Sequence, residues 1–248
     1  MNLLVDLGNS RLKWALAQGV AWRSGAFAYG ARMVSDLDRA WSDLGRPRRV
    51  VAASVGGAER AKVLVSWVRD RWALAVDFLE PCHSQLGVIN TYDEPSSLGA
   101  DRWAALIAAR KLFSGPACVV DCGTAVTLDA LGADGTYLGG VIMPGITLMR
   151  DCLCSGTAGI RCVDGRDDSC LARNTADAVA AGAAYGLAGA VTRIAEEFRQ
   201  VLGADMRVVL GGGAADLVVA RLAGRLEPLV QERDLVLKGL ALVAEVSV

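Results

Sequence analysis

Twice along its length this chain interrupts a buried-looking strand with an acid, a glycine and small polar residues, then resumes the apolar pattern at once. The first copy is LLVDLGNSRLKWAL (3–16) and the second is CVVDCGTAVTLDAL (118–131). A strand ordinarily ends at such a cluster and gives way to a loop. Immediate resumption is the pattern of a tight β-hairpin, so both stretches predict hairpins with polar turns. Aligned, Asp6 matches Asp121, Gly8 matches Gly123, Asn9 matches Thr124 and Leu16 matches Leu131. The repeat predicts two α/β domains of similar topology, with the duplicated turns meeting at a cleft between them.

The rest of the chain alternates accordingly. Strands are expected at 3–8, 11–17, 20–28 and 49–55, and helices at 31–44, 58–72 and 97–112. Residues 73–96 read as loop. Ser114-Gly115-Pro116 is the strongest break in the chain, which sets domains at 1–114 and 115–248. Beyond it come strands at 117–121, 126–131 and 136–142, a helix at 144–153, and a long helix from Thr175 to Leu202. Asn174 or Thr175 is its expected N-cap. A strand at 207–213, a helix near 214–223 and an apolar segment at 234–246 complete the pattern.

Composition narrows the function classes. Of 248 residues, 53% are hydrophobic and 21% charged, as in a soluble globular protein. A net charge of −1 gives no basic surface for nucleic acid, and RPRRV (46–50) is too short to supply one. No membrane span is expected: AVAAGAAYGLAGAV (178–191) is short and rich in Ala and Gly. Seven cysteines without a signal peptide suggest reduced thiols in a cytoplasmic protein, and their spacing matches no zinc pattern. The single His83 leaves little room for a Ser–His–Asp triad or a His-ligated metal. Chemistry must then rest on carboxylates, hydroxyls, lysines and backbone amides.

The turns offer such groups. Glycine lets backbone N–H groups approach an anion closely, and Asn, Ser and Thr add donors. Two such turns would clasp a polyphosphate. Asp6 and Asp121 stand at strand ends, where a carboxylate holds a hydrated cation against phosphates. Lys13 adds a point charge. Gly211-Gly212-Gly213 suits a base or sugar lying on bare backbone. Asp101 and Arg102 open a helix; they either project into a cleft or, more simply, Asp101 favours the helix dipole and Arg102 is solvated. Gly182, Gly186 and Gly189 make a smooth strip on the long helix, either for association or for packing within its own domain.

In combination, DLGNSRLK (6–13), YDEPSSLGADR (92–102), DCGTAVT (121–127), GGVIMPG (139–145) and NTADAVAAG (174–182) resemble the type III pantothenate kinase family. That family belongs to the actin-like, sugar-kinase and heat-shock ATPase superfamily, which implies two duplicated ribonuclease H-like domains. The resemblance further implies ATP-dependent phosphorylation of pantothenate. Asp6, Leu7, Gly8, Asn9, Ser10, Arg11, Leu12, Lys13 and Thr124 would bind ATP, with Asp6 holding Mg2+ through water. Asp121 would bind a monovalent cation, K+ or NH4+. Tyr92, Gly99, Ala100, Asp101, Arg102 and Thr175 would bind pantothenate, with Asp101 as catalytic base. Arg102 would pair with the pantothenate carboxylate or brace Asp101. A homodimer is also implied. Two other readings remain: a kinase of a sugar or small carboxylic acid, and a regulatory protein, which would be expected to show a basic face or a degraded catalytic set.

Overall fold

The computed structural model describes residues 1–19, 21–161, 163–222 and 224–246. Its internal contacts divide the chain into two units, Met1–Phe113 with Asp234–Val248, and Ser114–Arg233.

In the first unit, β1 (Asn2–Leu7), β2 (Arg11–Gln18) and β3 (Ala21–Ala28) form an antiparallel meander. Val20, the expected start of the third strand, lies outside the described residues. After α1 (Met33–Trp41), β4 (Arg49–Ser54) joins β1 in parallel, and after α2 (Ala58–Trp72), β5 (Val76–Phe78) joins β4. The sheet order is β3-β2-β1-β4-β5. A short antiparallel pair follows, β6 (Ser84–Gln85) and β7 (Val88–Asn90), and then α3 (Ala100–Leu112).

The second unit repeats this plan. β8 (Ala117–Cys122), β9 (Ala125–Leu131) and β10 (Thr136–Pro144) are antiparallel neighbours. α4 (Ile146–Gly156) and α5 (Thr175–Leu202) lead to β11 (Arg207–Gly211), parallel to β8. After α6 (Ala215–Leu222), β12 (Leu229–Gln231) adds in parallel to β11. The order β10-β9-β8-β11-β12 matches that of the first unit strand for strand. The duplication seen in two turns therefore extends through five strands in each unit.

Strand periodicity sorts the first sheet's faces. Leu3, Val5, Leu7, Leu12, Trp14, Val50 and Ala52 pack against α1 and α2. Trp41, Trp67 and Trp72 fill that layer, with ring centroids 4.9–6.0 Å apart. Leu4, Asp6, Lys13 and Val51 alternate with these and take the other face. On the sheet α3 touches β4, and the last helix, α7 (Leu235–Val246), touches β1, β2 and β4.

Residues 234–246, grouped by the sequence boundary with the second domain, pack instead with the first unit. The cause is a close helix pair. A Cβ at Gly239 would collide with the backbone of Ala104, so α3 and α7 touch backbone to backbone. Nearly every residue of α3 from Ala100 to Ala109 is buried as a result.

Other boundaries shift for local reasons. The helix expected from residue 97 starts at Ala100, because Pro95–Ser97 form a 3-10 turn and Leu98 and Gly99 are extended. The strand expected to reach residue 213 stops at Gly211, since Gly212 has φ +92°. Three-residue strands such as β5 and β12 were not expected. α5, with 28 residues, is by length and composition apolar enough to cross a membrane. Its Leu187, Val191 and Ala195 nonetheless lie in the core of the second unit. The expectation of reduced thiols fails at Cys154, which is disulfide-bonded. Cys82, Cys118, Cys122, Cys152 and Cys170 are free, and Cys162 lies outside the described residues.

Candidate active site

Asp6 and Lys13 face one another across the first hairpin, and Lys13 Nζ lies 3.8 Å from Asp6 Oδ2. Opposite charges placed across a hairpin favour that register. The Leu7 and Leu12 side chains are wholly buried in the tryptophan-rich core, so only their backbone belongs to the turn. Asn9, Ser10 and Arg11 are exposed.

Three residues not singled out by sequence surround this turn. The Tyr29 hydroxyl donates to Gly8 O at 2.9 Å, and Arg60 Nη1 donates to Asn9 O at 2.8 Å. The same Arg60 atom reaches Gly56 O at 3.1 Å, while its guanidinium carbon sits 4.2 Å from the centroid of the Tyr29 ring. A Cβ on Gly56 would lie 2.5 Å from Gly8 O, so glycine there lets the segment after β4 lie against the turn. The hydroxyl of Tyr29 is pushed up to about 12, chiefly by burial, with Arg60 opposing and Asp6 assisting.

The second turn is held by backbone. Gly123 N donates to Ala125 O at 3.1 Å, and Gly145 N donates to Thr124 O at 2.9 Å. A Cβ at Gly145 would strike Gly123 O and Thr124 O. Asp121 ends β8, half-buried, beside Gly212, whose Cβ would come 2.5 Å from Asp121 Oδ1 and from the backbone of Cys122. Asp121, Thr124 and the glycine cluster are thus brought together at one end of this sheet.

A third group forms around the start of α3. Buried Asn90 organises the preceding loop: its amide donates to Pro95 O at 3.1 Å, and its Oδ1 accepts from Tyr92 N at 3.1 Å. Arg102, also buried, donates through Nη1 to the Tyr92 hydroxyl at 3.0 Å. The solvated-arginine reading therefore fails. Asp101 Oδ1 accepts from Arg102 N at 2.8 Å, and a Cβ on Gly99 would lie 2.6 Å from that oxygen. Tyr92, Gly99, Ala100, Asp101 and Arg102 are thus assembled by one loop and one helix start, on the helix that covers the Asp6 face of the sheet.

Thr175 opens α5 and is exposed. Asn174 caps the helix, accepting from Asp177 N at 2.9 Å and donating to Asp177 Oδ2 at 2.7 Å. Asp177 Oδ1 accepts from Arg166 N at 2.7 Å, tying the preceding loop to the helix. These bonds hold the Asp177 carboxyl below its usual value, the Arg166 backbone N–H contributing most and the Asn174 amide next. A depressed carboxyl stabilises the fold above its unfolded pKa and loses that contribution as pH falls through the folded pKa. Asp177→Asn is therefore expected to melt below wild type at neutral pH, and the two melting temperatures should converge as pH falls through and below the ordinary carboxyl value of 3.8. Thermal scans across that range check it; a constant gap would remove the carboxylate from the account.

A family model for type III pantothenate kinase matches residues 2–197. The type III pantothenate kinase of Nitrosococcus oceani is 40% identical over 253 residues, covering 99% of this chain and 94% of that protein. The one from Azoarcus sp. is 42% identical over 246 residues, covering 98% and 90%. Among solved structures, the inorganic polyphosphate/ATP-glucomannokinase of Arthrobacter sp. superposes with a TM-score of 0.53 at 13% identity, covering 98% of this chain and 97% of that one. A Campylobacter jejuni protein provisionally described as a Baf family transcriptional activator gives 0.60 at 20% identity, covering 98% and 97%. At these identities the two structures speak for the fold alone: a duplicated, actin-like α/β architecture. The near-full-length identity to named kinases goes further, and the chain belongs to the type III pantothenate kinase family.

Proposed function

We propose that this chain transfers the γ-phosphoryl group of ATP to the primary hydroxyl of pantothenate, giving 4′-phosphopantothenate and ADP in the first step of coenzyme A synthesis. The single observation that carries the reaction is 40% identity to a type III pantothenate kinase over nearly all of both chains. The roles of individual residues are those that the resemblance to the family implies, applied to this geometry.

In that reading, the pantothenate hydroxyl oxygen attacks the γ-phosphorus while the bond from that phosphorus to the bridging oxygen of ADP breaks. The hydroxyl proton passes to Asp101. Aspartate is a weak base, with an ordinary pKa of about 3.9. Phosphoryl transfer tolerates this because its transition state is loose, and positioning outweighs early proton removal. Arg102, fixed against Tyr92, braces the helix start and presents positive charge to the pantothenate carboxylate. Gly99 and Ala100 give backbone at the same helix start, and Thr175 lines the acceptor pocket. The 6–13 hairpin binds the ATP phosphates, and Thr124 contacts the nucleotide.

Among the described residues no group of three or more His, Cys, Asp or Glu could hold a metal by themselves. Mg2+ is ordinarily carried by one or two carboxylates, waters and the phosphates of its nucleotide, which suits Asp6 at a strand end. It would neutralise charge developing on the transferred phosphoryl group. Asp121 is our candidate oxygen donor for K+ or NH4+.

We also place the chain in the cytoplasm, as a homodimer without nucleic-acid or membrane partners. Gly182, Gly186 and Gly189 are exposed, and among the described residues nothing stands within 4 Å of where a Cβ would be. Glycines on an exposed helix cost about 1 kcal/mol each relative to alanine, and a partner backbone would offset that.

ADP formation from ATP, Mg2+ and K+, measured with and without pantothenate, tests the reaction. Turnover that requires pantothenate is expected. Turnover with a sugar or another small acid in its place would move the acceptor, and none with any acceptor would return the regulatory reading.

A further inference from the structure

We infer that Tyr29 and Arg60 are positioning residues for ATP: they clamp two carbonyls of the first turn and thereby aim its amide donors at the nucleotide phosphates. The inference rests on the reading that this turn holds those phosphates.

The argument starts from the peptide bond. A trans peptide is planar, so the carbonyl of one residue and the N–H of the next point in opposite directions. Tyr29 holds Gly8 O at 2.9 Å, which turns the N–H of Asn9 the other way. Arg60 holds Asn9 O at 2.8 Å, which does the same for the N–H of Ser10. Two successive donors are thus directed away from the Tyr29–Arg60 wall. Glycine at position 8 leaves the peptide planes of this turn free to rotate unless contacts hold them.

The wall is itself braced by contacts. The Arg60 guanidinium lies over the Tyr29 ring, an attraction between cation and π face, and its bond to Gly56 O anchors it to the segment after β4. The Tyr29 hydroxyl is protonated at neutral pH and so donates, and burial pushes its pKa further up, to about 12.

The duplicate turn supports the same logic independently. Thr124 aligns with Asn9, and its carbonyl is also pinned, there by Gly145 N at 2.9 Å. The same carbonyl is held in both copies. One copy uses backbone, and the other uses side chains that substitution can reach.

The test measures KM for each substrate and kcat by ADP formation, with melting temperature, for Tyr29→Phe, Arg60→Gln, Arg60→Lys and Lys13→Ala. Tyr29→Phe keeps the ring and removes one neutral hydrogen bond, so KM for ATP should rise about three- to tenfold. Arg60→Gln removes a charged donor and should raise it about tenfold or more, with Arg60→Lys between wild type and Gln. KM for pantothenate should stay within about twofold, the split that a merely structural role would not produce. Unchanged KM for ATP in Tyr29→Phe and Arg60→Gln, with a rise in Lys13→Ala, overturns the inference and leaves the phosphate turn standing. Equal rises for both substrates with a lowered melting temperature overturn it too. If Lys13→Ala also leaves KM for ATP unchanged, the phosphate-turn reading fails and takes the inference with it. Should Arg60→Gln not fold, Tyr29→Phe decides alone.

Discussion

Asp101→Asn is expected to lower kcat by about 100- to 10,000-fold, the usual range for losing a positioned general base. Its melting temperature should remain close to that of wild type. The structure explains why the two effects separate. Asp101 Oδ1 accepts from the backbone N–H of Arg102 at 2.8 Å, and the amide oxygen of asparagine accepts the same bond. The start of α3 therefore keeps its local geometry while the proton acceptor is lost. KM for ATP should change little, because in this reading Asp101 acts on the other substrate. Steady-state ADP formation, with each substrate varied in turn, provides the measurement. A variant that retained wild-type kcat would remove Asp101 from the chemistry, whatever else holds.

The second large effect concerns stability. Gly239→Val should cost about 3 kcal/mol, at the upper end for overpacking. Its Cβ would fall on the backbone of Ala104, and a helix backbone is not the movable end of a side chain. For a chain of this size each 1 kcal/mol shifts Tm by about 2–4 °C, so a drop of about 6–12 °C is expected in a thermal melt. Gly239→Ala should fall between wild type and valine. A valine variant as stable as wild type would mean that α3 and α7 are not in backbone contact.

How much of this was legible in the sequence depends on distance along the chain. The hairpins at Asp6 and Asp121 declare themselves because strand, turn and strand are contiguous, and their periods agree across the break. The Asp6–Lys13 pairing follows from hairpin register. Tyr29 and Arg60 were missed because they reach the turn from 21 and 51 positions away. Locally, Arg60 is another charged residue near the start of an amphipathic helix, beside Glu59 and Lys62. β5 and β12 were missed because VDF and LVQ are too short to show a period, and their neighbours in the sheet decide their conformation. Arg102 had two readings, and the solvated one fails. Charge argued for solvent, whereas burial is tolerated because its guanidinium donates to the Tyr92 hydroxyl. The internal contacts divide the chain at Ser114, beside the Ser114-Gly115-Pro116 break, but nothing local in DLVLKGLALVAEV says which sheet it will cover.

That last helix has a consequence for how the protein is made. The second unit is one uninterrupted stretch, Ser114–Arg233, and every residue of it is translated before α7. The first unit, which carries Asp6, Lys13 and Asp101, is discontinuous and lacks a covering helix until α7 emerges. Translation therefore completes the unit it began last, and a chain stopped before Asp234 would leave α3 with one apolar flank uncovered.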